Sequence, residues 1–335
     1  MFMVIYYISI ILIINIVNLR NICQNPSRNV YIDDLQHQKK YRLTPALHNP
    51  PLQENYGNSV KQVIYRFPNK PVMYSSSDYP ELAEETLRGE IPGSSAGGEQ
   101  PKFTVFCRDC PGHVIVKFSP EGTHAHAKRW RDILITEYHA SKVLFDHGYP
   151  SADIVLSDIK GRLFLESKRF DRNAEQGRRS MLSLRSIDNE FTGIGHGWPR
   201  ILGALFKRDL VPWQAVVDTE IFWHFGKLIN NIDMHPGNLS FAMENDGFRL
   251  LPVYDMCAMG FAPKSGGEAP PFIFNPMAPN FIHLTSETHL DGIKKMAYDF
   301  WERVEKDERL SFEFRCFLKK NTPVKKIENL SPLTR

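Results

Sequence analysis

The pattern of hydrophobic and polar positions divides the chain into an apolar start, a polar middle and a long patterned remainder. The first 19 residues are apolar except for one serine and two asparagines, whereas the residues up to about 90 are rich in Asn, Pro, Gln and Ser and show no sustained period. From about residue 91, apolar residues recur with strand and helix periods. We therefore predict an apolar segment, a linker, a small mixed lobe and a mainly helical lobe, at 1–20, 21–90, 91–190 and 191–335.

The residues before 190 predict strands and one long helix. Short apolar runs between turn residues predict strands, and the spacing of Ile133, Ala140 and Leu144 predicts a helix that stops at Gly148. The predicted elements are strands at 62–67, 102–107, 113–118, 153–158 and 162–170, and helices at 80–90 and 129–148. Strands that flank one helix indicate a small α+β lobe.

The residues after 197 predict a mainly helical lobe with one hairpin. Apolar residues repeat with a helical period over 213–230. An Asn-Asp-Gly turn separates two short apolar runs, and it predicts a hairpin of strands at 239–244 and 248–255. Helical character returns over 285–318.

Composition narrows the class of protein without indicating its chemistry. The chain has 41 basic and 38 acidic side chains, a net charge of +3 over 335 residues. That excess is too small to indicate direct nucleic-acid binding, which usually needs a basic stripe. Five cysteines, an odd number in a long chain, exclude a disulfide-dense secreted scaffold and favour a reducing compartment. A cytoplasmic globular enzyme fits these features.

The apolar residues 1–19 allow two interpretations. A helix of that length would span about 30 Å, the thickness of the hydrocarbon core of a bilayer. The basic residues that follow would then keep the rest of the chain in the cytoplasm. A signal peptide is disfavoured, because no Lys or Arg precedes the run and no small-residue cleavage site follows it. The alternative to a single membrane anchor is a leader without a function of its own.

Three features of the predicted small lobe occur in the order found in phosphoryl-transfer enzymes. The small residues of Gly93–Gly98 would let backbone N–H groups approach phosphate oxygens, although a plain linker has the same composition. Lys117 ends a Val-Ile-Val run, as does the strand lysine that contacts ATP phosphates in kinases. Glu137 lies in the next predicted helix, where a kinase glutamate would orient that lysine. Alone, each feature is common on protein surfaces.

The predicted helical lobe adds two carboxylates and an amide. Asp233 and Asn238 have the D-x-x-x-x-N spacing of a kinase catalytic loop, in which the aspartate takes the proton of the substrate hydroxyl and the asparagine holds Mg²⁺. Asp255 ends a predicted strand, where a second metal-binding aspartate belongs. Oxygen ligands of this kind suit Mg²⁺ bound together with ATP phosphates. The ordered set predicts phosphoryl transfer.

These residues resemble the HipA-type serine/threonine kinases of bacterial toxin–antitoxin systems, and within them the YjjJ-like relatives. The segments that carry the resemblance are SSAGGEQPKF (94–103), IVKF (115–118), TEY (136–138), HGYP (147–150), KRFDR (168–172), NIDMHPGN (231–238) and PVYD (252–255). The resemblance covers about residues 90–330. It implies a two-lobed, protein-kinase-like α+β fold with a small mixed N-terminal lobe and a mainly helical C-terminal lobe.

The resemblance also implies a role for each site residue. Asp233 would be the catalytic base, Asn238 and Asp255 would bind Mg²⁺, and Glu137 would form a structural ion pair. The residues that would contact ATP are Ala96, Gly97, Gly98, Gln100, Lys102, Lys117, Ile187, Asp188, Asn189, His235, Asn238, Tyr254 and Asp255. Ser94 or Ser95 corresponds to the loop serine that such kinases autophosphorylate, and the added negative charge would expel the loop from the ATP site.

The resemblance further implies partners and a missing part. Family members phosphorylate a Ser or Thr of a target protein, and some pair with a DNA-binding antitoxin. They also carry a folded subdomain before the Gly/Ser loop, so the resemblance implies an N-terminally incomplete chain. The alternative is a catalytically degenerate relative that binds protein or DNA partners.

Cys107 and Cys110 allow three interpretations: a zinc site, a redox site or a plain hairpin turn. The hairpin turn is favoured, since no second Cys-x-x-C pair accompanies them.

Overall fold

The computed structural model describes residues 31–34, 39–42, 71–90, 100–109, 111–264, 266–284 and 287–330. The chain divides into two compact units, Met1–Pro68 and Asn69–Arg335. The described residues of the first unit form a two-stranded antiparallel sheet of β1 (Tyr31–Asp34) and β2 (Lys39–Arg42). All of the predicted site chemistry therefore belongs to the second unit.

Two of the predicted elements, the apolar residues 1–19 and the strand at 62–67, lie outside the described residues. Among the helices that the structure describes, none combines the length and the hydropathy needed to cross a membrane. Membrane insertion of the first residues therefore stays a prediction.

A five-stranded sheet forms the first part of the second unit. Its strands are β3 (Met73–Tyr74), β4 (Lys102–Cys107), β5 (Gly112–Phe118), β6 (Ile154–Ile159) and β7 (Arg162–Lys168). The order across the sheet is β3-β4-β5-β7-β6, and neighbours are antiparallel except for the parallel pair of β3 and β4. The four strands predicted between 102 and 170 are confirmed, each end within two residues.

Helix α1 (Tyr79–Leu87) packs on one face of this sheet. Its Tyr79, Leu82 and Ala83 are buried in a core that includes Phe103 of β4. The ring centroids of Tyr79 and Phe103 are 5.6 Å apart. The helix matches the short helix predicted at 80–90, and it shows that part of the segment assigned to the linker packs on the sheet.

Helix α2 (Ala125–Asp146) lies between β5 and β6 in the chain and contacts the sheet. It begins four residues before its predicted start, because the ring Nδ1 of His124 accepts a hydrogen bond from the Ala127 N–H at 3.2 Å and caps the first turn. It ends just before Gly148, whose φ of 85° requires the left-handed region that glycine adopts without strain.

The rest of the unit is mainly helical. Its helices are α3 (Leu184–Phe191), α4 (Trp198–Phe206), α5 (Trp213–Leu228), α6 (Glu287–Lys306), α7 (Phe312–Asn321) and α8 (Pro323–Glu328). Its short strands are β8 (Arg172–Asn173), β9 (Gly177–Arg178), β10 (Leu182–Ser183), β11 (Ser240–Glu244) and β12 (Gly247–Leu250). A mixed sheet lobe followed by a mainly helical lobe confirms the predicted two-lobed α+β fold.

One predicted boundary in this lobe is wrong. The second strand of the hairpin ends at Leu250, whereas the sequence predicts that it continues to Asp255. Pro252 has no backbone N–H and cannot continue the ladder. Val253 instead forms an isolated parallel bridge with Ser151, so Asp255 follows a short linking segment and does not end a strand.

Candidate functional site

A buried lysine meets two carboxylates where the two lobes adjoin. The ammonium of Lys117 donates to both carboxylate oxygens of Glu137, at 2.6 and 2.7 Å, and it also forms an ion pair with Asp255. Lys117 and Glu137 are 7% and 5% exposed, so their attraction is screened little by water. The structure thus brings together three predicted site residues from β5, from α2 and from the segment after β12.

The strand and helix periods explain how these side chains meet. Val116 and Phe118 of β5 are fully buried in the sheet core, so the alternation of the strand turns Lys117 to the other face. Lys102 is its cross-strand partner on β4 and shares that face. Glu137 lies on the buried side of α2, which faces the sheet.

Electrostatic compensation decides the protonation of this cluster. Burial by itself would raise the pKa of Asp255, but the positive charges of Lys117 and Lys102 outweigh it and lower that pKa. Burial disfavours the charged form of Lys117, yet Asp255 and Glu137 outweigh it and raise the pKa of the ammonium. Burial raises the pKa of Glu137, against the opposing charge of Lys117. Lys117 and Asp255 therefore stay ionised at neutral pH.

The backbone of Asp255 has an uncommon conformation. Its φ is 56°, in the left-handed region that residues with a Cβ rarely occupy. The segment before it is held by the Val253 N–H, which donates to the Pro150 carbonyl at 3.0 Å. Sparsely populated backbone angles of this kind cluster at functional sites, where the surroundings enforce them.

The loop with Asp233 and Asn238 is fixed by its own asparagines. The Asp233 N–H donates to Oδ1 of Asn231 at 3.0 Å, and Nδ2 of Asn238 donates to the Asp233 carbonyl at 2.7 Å. Asn231 and Asn238 are buried, whereas the side chain of Asp233 is 49% exposed. The loop therefore presents the Asp233 carboxylate to solvent on a fixed backbone.

His235 folds back over this loop. Its Nδ1 accepts a hydrogen bond from the Gly237 N–H at 2.9 Å, and its carbonyl accepts one from the Trp198 indole at 3.0 Å. Its Nε2 lies 3.9 Å from Oδ1 of Asp233. A Cβ at position 237 would lie 2.7 Å from the Cε1 atom of the imidazole. Glycine at this position is therefore what allows the ring to fold back.

Tyr254 joins the loop to the segment with Asp255. Its hydroxyl donates to the Gly237 carbonyl at 3.0 Å and lies 2.7 Å from Oγ of Ser240. Burial raises the pKa of Tyr254 to about 12, so the hydroxyl keeps its proton. Because Gly237 precedes Asn238 and Tyr254 precedes Asp255, this bond positions the two predicted Mg²⁺ ligands relative to each other.

Asn238 and Asp255 suit a metal that is bound together with its substrate. The described residues contain no group of three or more His, Cys, Asp or Glu side chains that could hold a metal ion by themselves. Mg²⁺ is usually held by one or two carboxylates together with phosphates and waters. The carboxylate of Asp255 and the amide oxygen of Asn238, whose Nδ2 is occupied by Asp233, fit that requirement.

The cysteine pair considered for zinc belongs to a hairpin. Cys107 is buried and pairs with Gly112 across the β4–β5 turn. Cys110 lies outside the described residues. The pairing agrees with the hairpin-turn interpretation.

The Gly/Ser loop lies mostly outside the described residues. This holds for Ser94, Ser95, Ala96, Gly97 and Gly98, so the nucleotide-facing and autophosphorylation roles stay predictions.

Gln100 is the first described residue after this loop. Its side-chain nitrogen is buried, and in the part of the chain that the structure describes it has no hydrogen-bond partner. A buried donor of this kind is rare in folded proteins, and it suits an acceptor supplied by a ligand.

Two further residues predicted to contact the nucleotide lie in α3, which packs against the Pro236–Asn238 turn. Ile187 and Asp188 are each 1% exposed, in α3. The Asp188 carboxylate accepts hydrogen bonds from the N–H groups of Ile194 and Gly195 at 3.0 and 2.7 Å, and from the Thr192 hydroxyl. It therefore orders the loop after α3, and no hydrogen bond or ion pair between described residues joins it to the Lys117 cluster. Asn189 follows on the same helix.

Sequence reasoning missed two residues that shape the loop. Asn231 fixes the Asp233 N–H, and an Asn two residues before that donor has the pattern of an Asx turn, which would have indicated it. Trp198 anchors His235 from 37 residues away, and no local pattern indicates that contact.

Two solved structures are similar to this chain over part of its length. One is a chain of the Shewanella oneidensis MR-1 toxin–antitoxin complex of HipA, HipB and operator DNA, at 17% identity and a TM-score of 0.45, covering 70% of this chain and 65% of that chain. The other is the Helicobacter pylori proinflammatory kinase CtkA, at 15% identity and a TM-score of 0.45, covering 68% of this chain and 90% of that chain.

The sequence comparisons are more specific. Toxin YjjJ of Escherichia coli (strain K12) is 38% identical to this chain over 263 residues, which are 77% of this chain and 59% of that protein. The chain therefore spans less than two thirds of the length of this relative. The model of the HipA-like C-terminal domain matches residues 94–314. Because that match covers most of the chain and contains every residue of the Lys117 cluster and the Asp233 loop, the chain belongs to the HipA-like family.

Proposed function

We propose that this protein is an ATP- and Mg²⁺-dependent serine/threonine protein kinase of the HipA type. The observation that carries the proposal is the meeting of Lys117, Glu137 and Asp255 beside the fixed loop of Asp233 and Asn238. In protein kinases a lysine–glutamate ion pair and a metal-binding aspartate must both be in place before phosphoryl transfer. Family membership supports the same conclusion.

The proposed acceptor side is the Asp233 loop. The hydroxyl oxygen of a substrate Ser or Thr attacks the γ-phosphorus, the bond to the leaving ADP oxygen breaks, and the Asp233 carboxylate takes the hydroxyl proton. The exposure of this carboxylate gives a protein substrate access, and the hydrogen bonds of Asn231 and Asn238 hold its backbone in place.

The proposed donor side is the face of the sheet that carries Lys102 and Lys117. Both positive charges act on Asp255, and they would act in the same way on the phosphates of ATP. The unpartnered nitrogen of Gln100, two residues before Lys102, would supply a further donor. Asn238 and Asp255 would hold Mg²⁺, which when bound neutralises phosphate charge during transfer.

The test is phosphate incorporation from labelled Mg-ATP into the full chain or an added Ser/Thr substrate. Asp233→Asn should lower the rate at least about 100-fold, because it removes the proton acceptor. Asp246→Asn, at an exposed aspartate of the β11–β12 turn, is the matched control and should react as the natural protein does. Equal incorporation in Asp233→Asn would overturn the assignment. No incorporation and no stabilisation by Mg-ATP in the natural protein would favour a degenerate relative.

The partners follow from the family and are part of the proposal. Since the relative from Escherichia coli is named a toxin, we expect expression of this chain to arrest growth by phosphorylation of a target protein. A DNA-binding antitoxin would be the second partner. Growth arrest that disappears in Asp233→Asn tests the first expectation, and purification of the chain from its own cells tests the second.

A further inference from the structure

A separate cavity lies at the far end of the strands that carry Lys117. It has a volume of about 430 Å³ and is enclosed by the β4–β5 turn, the residues before β6 and the residues after β7. Lys168, in its wall, pairs with Val114, three residues before Lys117 on β5. At the strand rise this separates the cavity from the Lys117 cluster by about 10 Å.

The wall of this basic cavity carries more positive than negative charge. Its cationic side chains are Lys168, Arg169, Arg172 and Arg179. Two carboxylates oppose these four cations, those of Asp153 in the wall and of Asp171 beneath it. The difference leaves an excess of two positive charges.

The single carboxylate of Asp171 serves two of these arginines. Nε and Nη2 of Arg169 donate to its two oxygens at 2.8 and 2.6 Å, and Arg172 forms a further ion pair with it. Lys168 and Arg179 are exposed and take part in no ion pair with any residue that the structure describes. Burial, and after it the positive charge of Arg169, lower the pKa of the Arg172 guanidinium.

A second cavity, lined by residues of both lobes, shows the opposite arrangement. It has a volume of about 320 Å³, and its cations are Lys128, Arg131 and Arg309. Each of the three has its own carboxylate, on Glu313, Asp158 and Asp307, at 2.8, 2.5 and 2.6 Å. Of these two cavities, only the basic cavity has more cations than carboxylates to pair with them.

The backbone that carries the cations of the basic cavity is fixed by hydrogen bonds. The N–H of Lys168 donates to the Asp153 carbonyl at 2.9 Å, that of Arg169 to the His113 carbonyl at 2.8 Å, and that of Arg179 to the Asp171 carbonyl at 3.0 Å. These bonds tie the cationic residues to three different wall segments. A ligand would thus meet a fixed backbone and would have to order only the side chains of Lys168 and Arg179.

We propose that the basic cavity binds the phosphate group of a phosphomonoester. Such a group carries about −1.5 to −2 charges at neutral pH, which matches the excess of the cavity. Its three oxygens accept hydrogen bonds, and guanidinium groups donate to phosphate in the fork geometry that arginine provides. The site does not depend on the proposed kinase activity, because it shares no residue with the Lys117 cluster or the Asp233 loop.

The test is a calorimetric titration of the full chain with inorganic phosphate and with O-phosphoserine, at constant ionic strength and in the presence of Mg²⁺ and a non-hydrolysable ATP analogue. We expect saturable binding that the double variant Lys168→Gln/Arg179→Gln weakens at least about tenfold. Lys128→Gln, in the compensated cavity, is the matched control and should bind as the natural protein does. Asp233→Asn should also bind normally, which separates this result from the fate of the kinase proposal.

The two probes distinguish the sources of the phosphate group. Equal affinities support recognition of the phosphate alone, and tighter binding of phosphoserine supports a phosphorylated polypeptide as the source. Absence of saturable binding to either probe, or equal binding by Lys168→Gln/Arg179→Gln and the natural protein, would overturn the proposal.

Discussion

The candidate site has a buried side, the Lys117 cluster, and an exposed side, the Asp233 loop, and the two are stabilised in different ways. Lys117 and Glu137 are almost completely buried and depend on each other's charge. Asp233 and His235 have side chains that are 49% and 45% exposed, and the loop that carries them depends on hydrogen bonds within the backbone and its asparagines. A substitution on the first side should therefore cost stability, whereas one on the second side should cost chemistry.

The difference follows from what each side has to do in the proposed reaction. Removing water strengthens an ion pair but makes each charge costly without its partner. A buried lysine with two carboxylates is therefore held rigidly, as a nucleotide-binding group needs to be. A proton acceptor for a protein substrate has to be reachable from solvent. The fixed backbone groups of the loop offset only a small part of the cost of removing water from its carboxylate.

The largest expected effect is on the buried side. Lys117→Met removes the one ammonium that bonds to both Glu137 and Asp255 and leaves only the more distant charge of Lys102, so we expect the free energy of unfolding to fall by about 3 kcal/mol or more. Urea denaturation measures it. Asp233→Asn, on the exposed side, should change the same quantity by less than about 0.5 kcal/mol. Equal losses in the two variants would remove the distinction between the sides.

A smaller effect is expected at a second buried carboxylate, which tests whether burial or a bonded cation decides the pKa of such a group. Asp132, also on α2, is 1% exposed and accepts hydrogen bonds from the N–H and hydroxyl of Ser311 at 2.8 and 2.7 Å. Burial raises its pKa from 3.8 to about 6. Between these values the folded state holds a proton that the unfolded state has lost, so the contribution of Asp132 to stability falls as the pH rises through this range.

Asp132→Asn should therefore remove this part of the pH dependence. The free energy of unfolding at pH 7 should rise by up to about 3 kcal/mol relative to the natural protein, since the neutral amide avoids the cost of a buried charge. Denaturant titrations between pH 4 and pH 7 measure the slope. An unchanged slope in the variant would show that Asp132 keeps an ordinary pKa and that the Ser311 hydrogen bonds compensate for its burial.

The smallest expected effect is on the exposed side. His235→Ala removes the acceptor of the Gly237 N–H, but water can replace it because the ring is nearly half exposed. We expect the free energy of unfolding to fall by about 1 kcal/mol or less. His196→Ala, at an exposed histidine before α4, is the control. A loss above about 2 kcal/mol would show that the loop depends on the imidazole more than on its asparagines.

Local patterns predicted the elements that carry the buried side. The alternation of β5 and the helical period of α2 place Lys117 and Glu137 on facing surfaces, and both patterns can be recognised in short stretches of sequence. The end of β12 was predicted five residues too late, because an apolar run continues past Pro252, where the ladder cannot.

Contacts between residues that are distant in the chain could not be predicted from the sequence. Ser311 reaches Asp132 across 179 positions, and Trp198 reaches His235 across 37. The left-handed backbone of Asp255 could not be predicted either, because aspartate tolerates that region better than most residues with a Cβ but seldom occupies it. The excess charge of the basic cavity arises because Arg169 and Arg172 share the single carboxylate of Asp171, and that sharing is visible only in the folded chain.

The most direct test of the central claim measures nucleotide binding and phosphate transfer in the same two variants. We predict that Asp255→Asn loses Mg²⁺-dependent ATP binding. Asp233→Asn should bind Mg-ATP within about threefold of the natural protein but transfer phosphate at least about 100-fold more slowly. If Asp233→Asn lost binding and transfer together, or if Asp255→Asn kept Mg²⁺-dependent binding, the division of the site into a nucleotide side and an acceptor side would be contradicted.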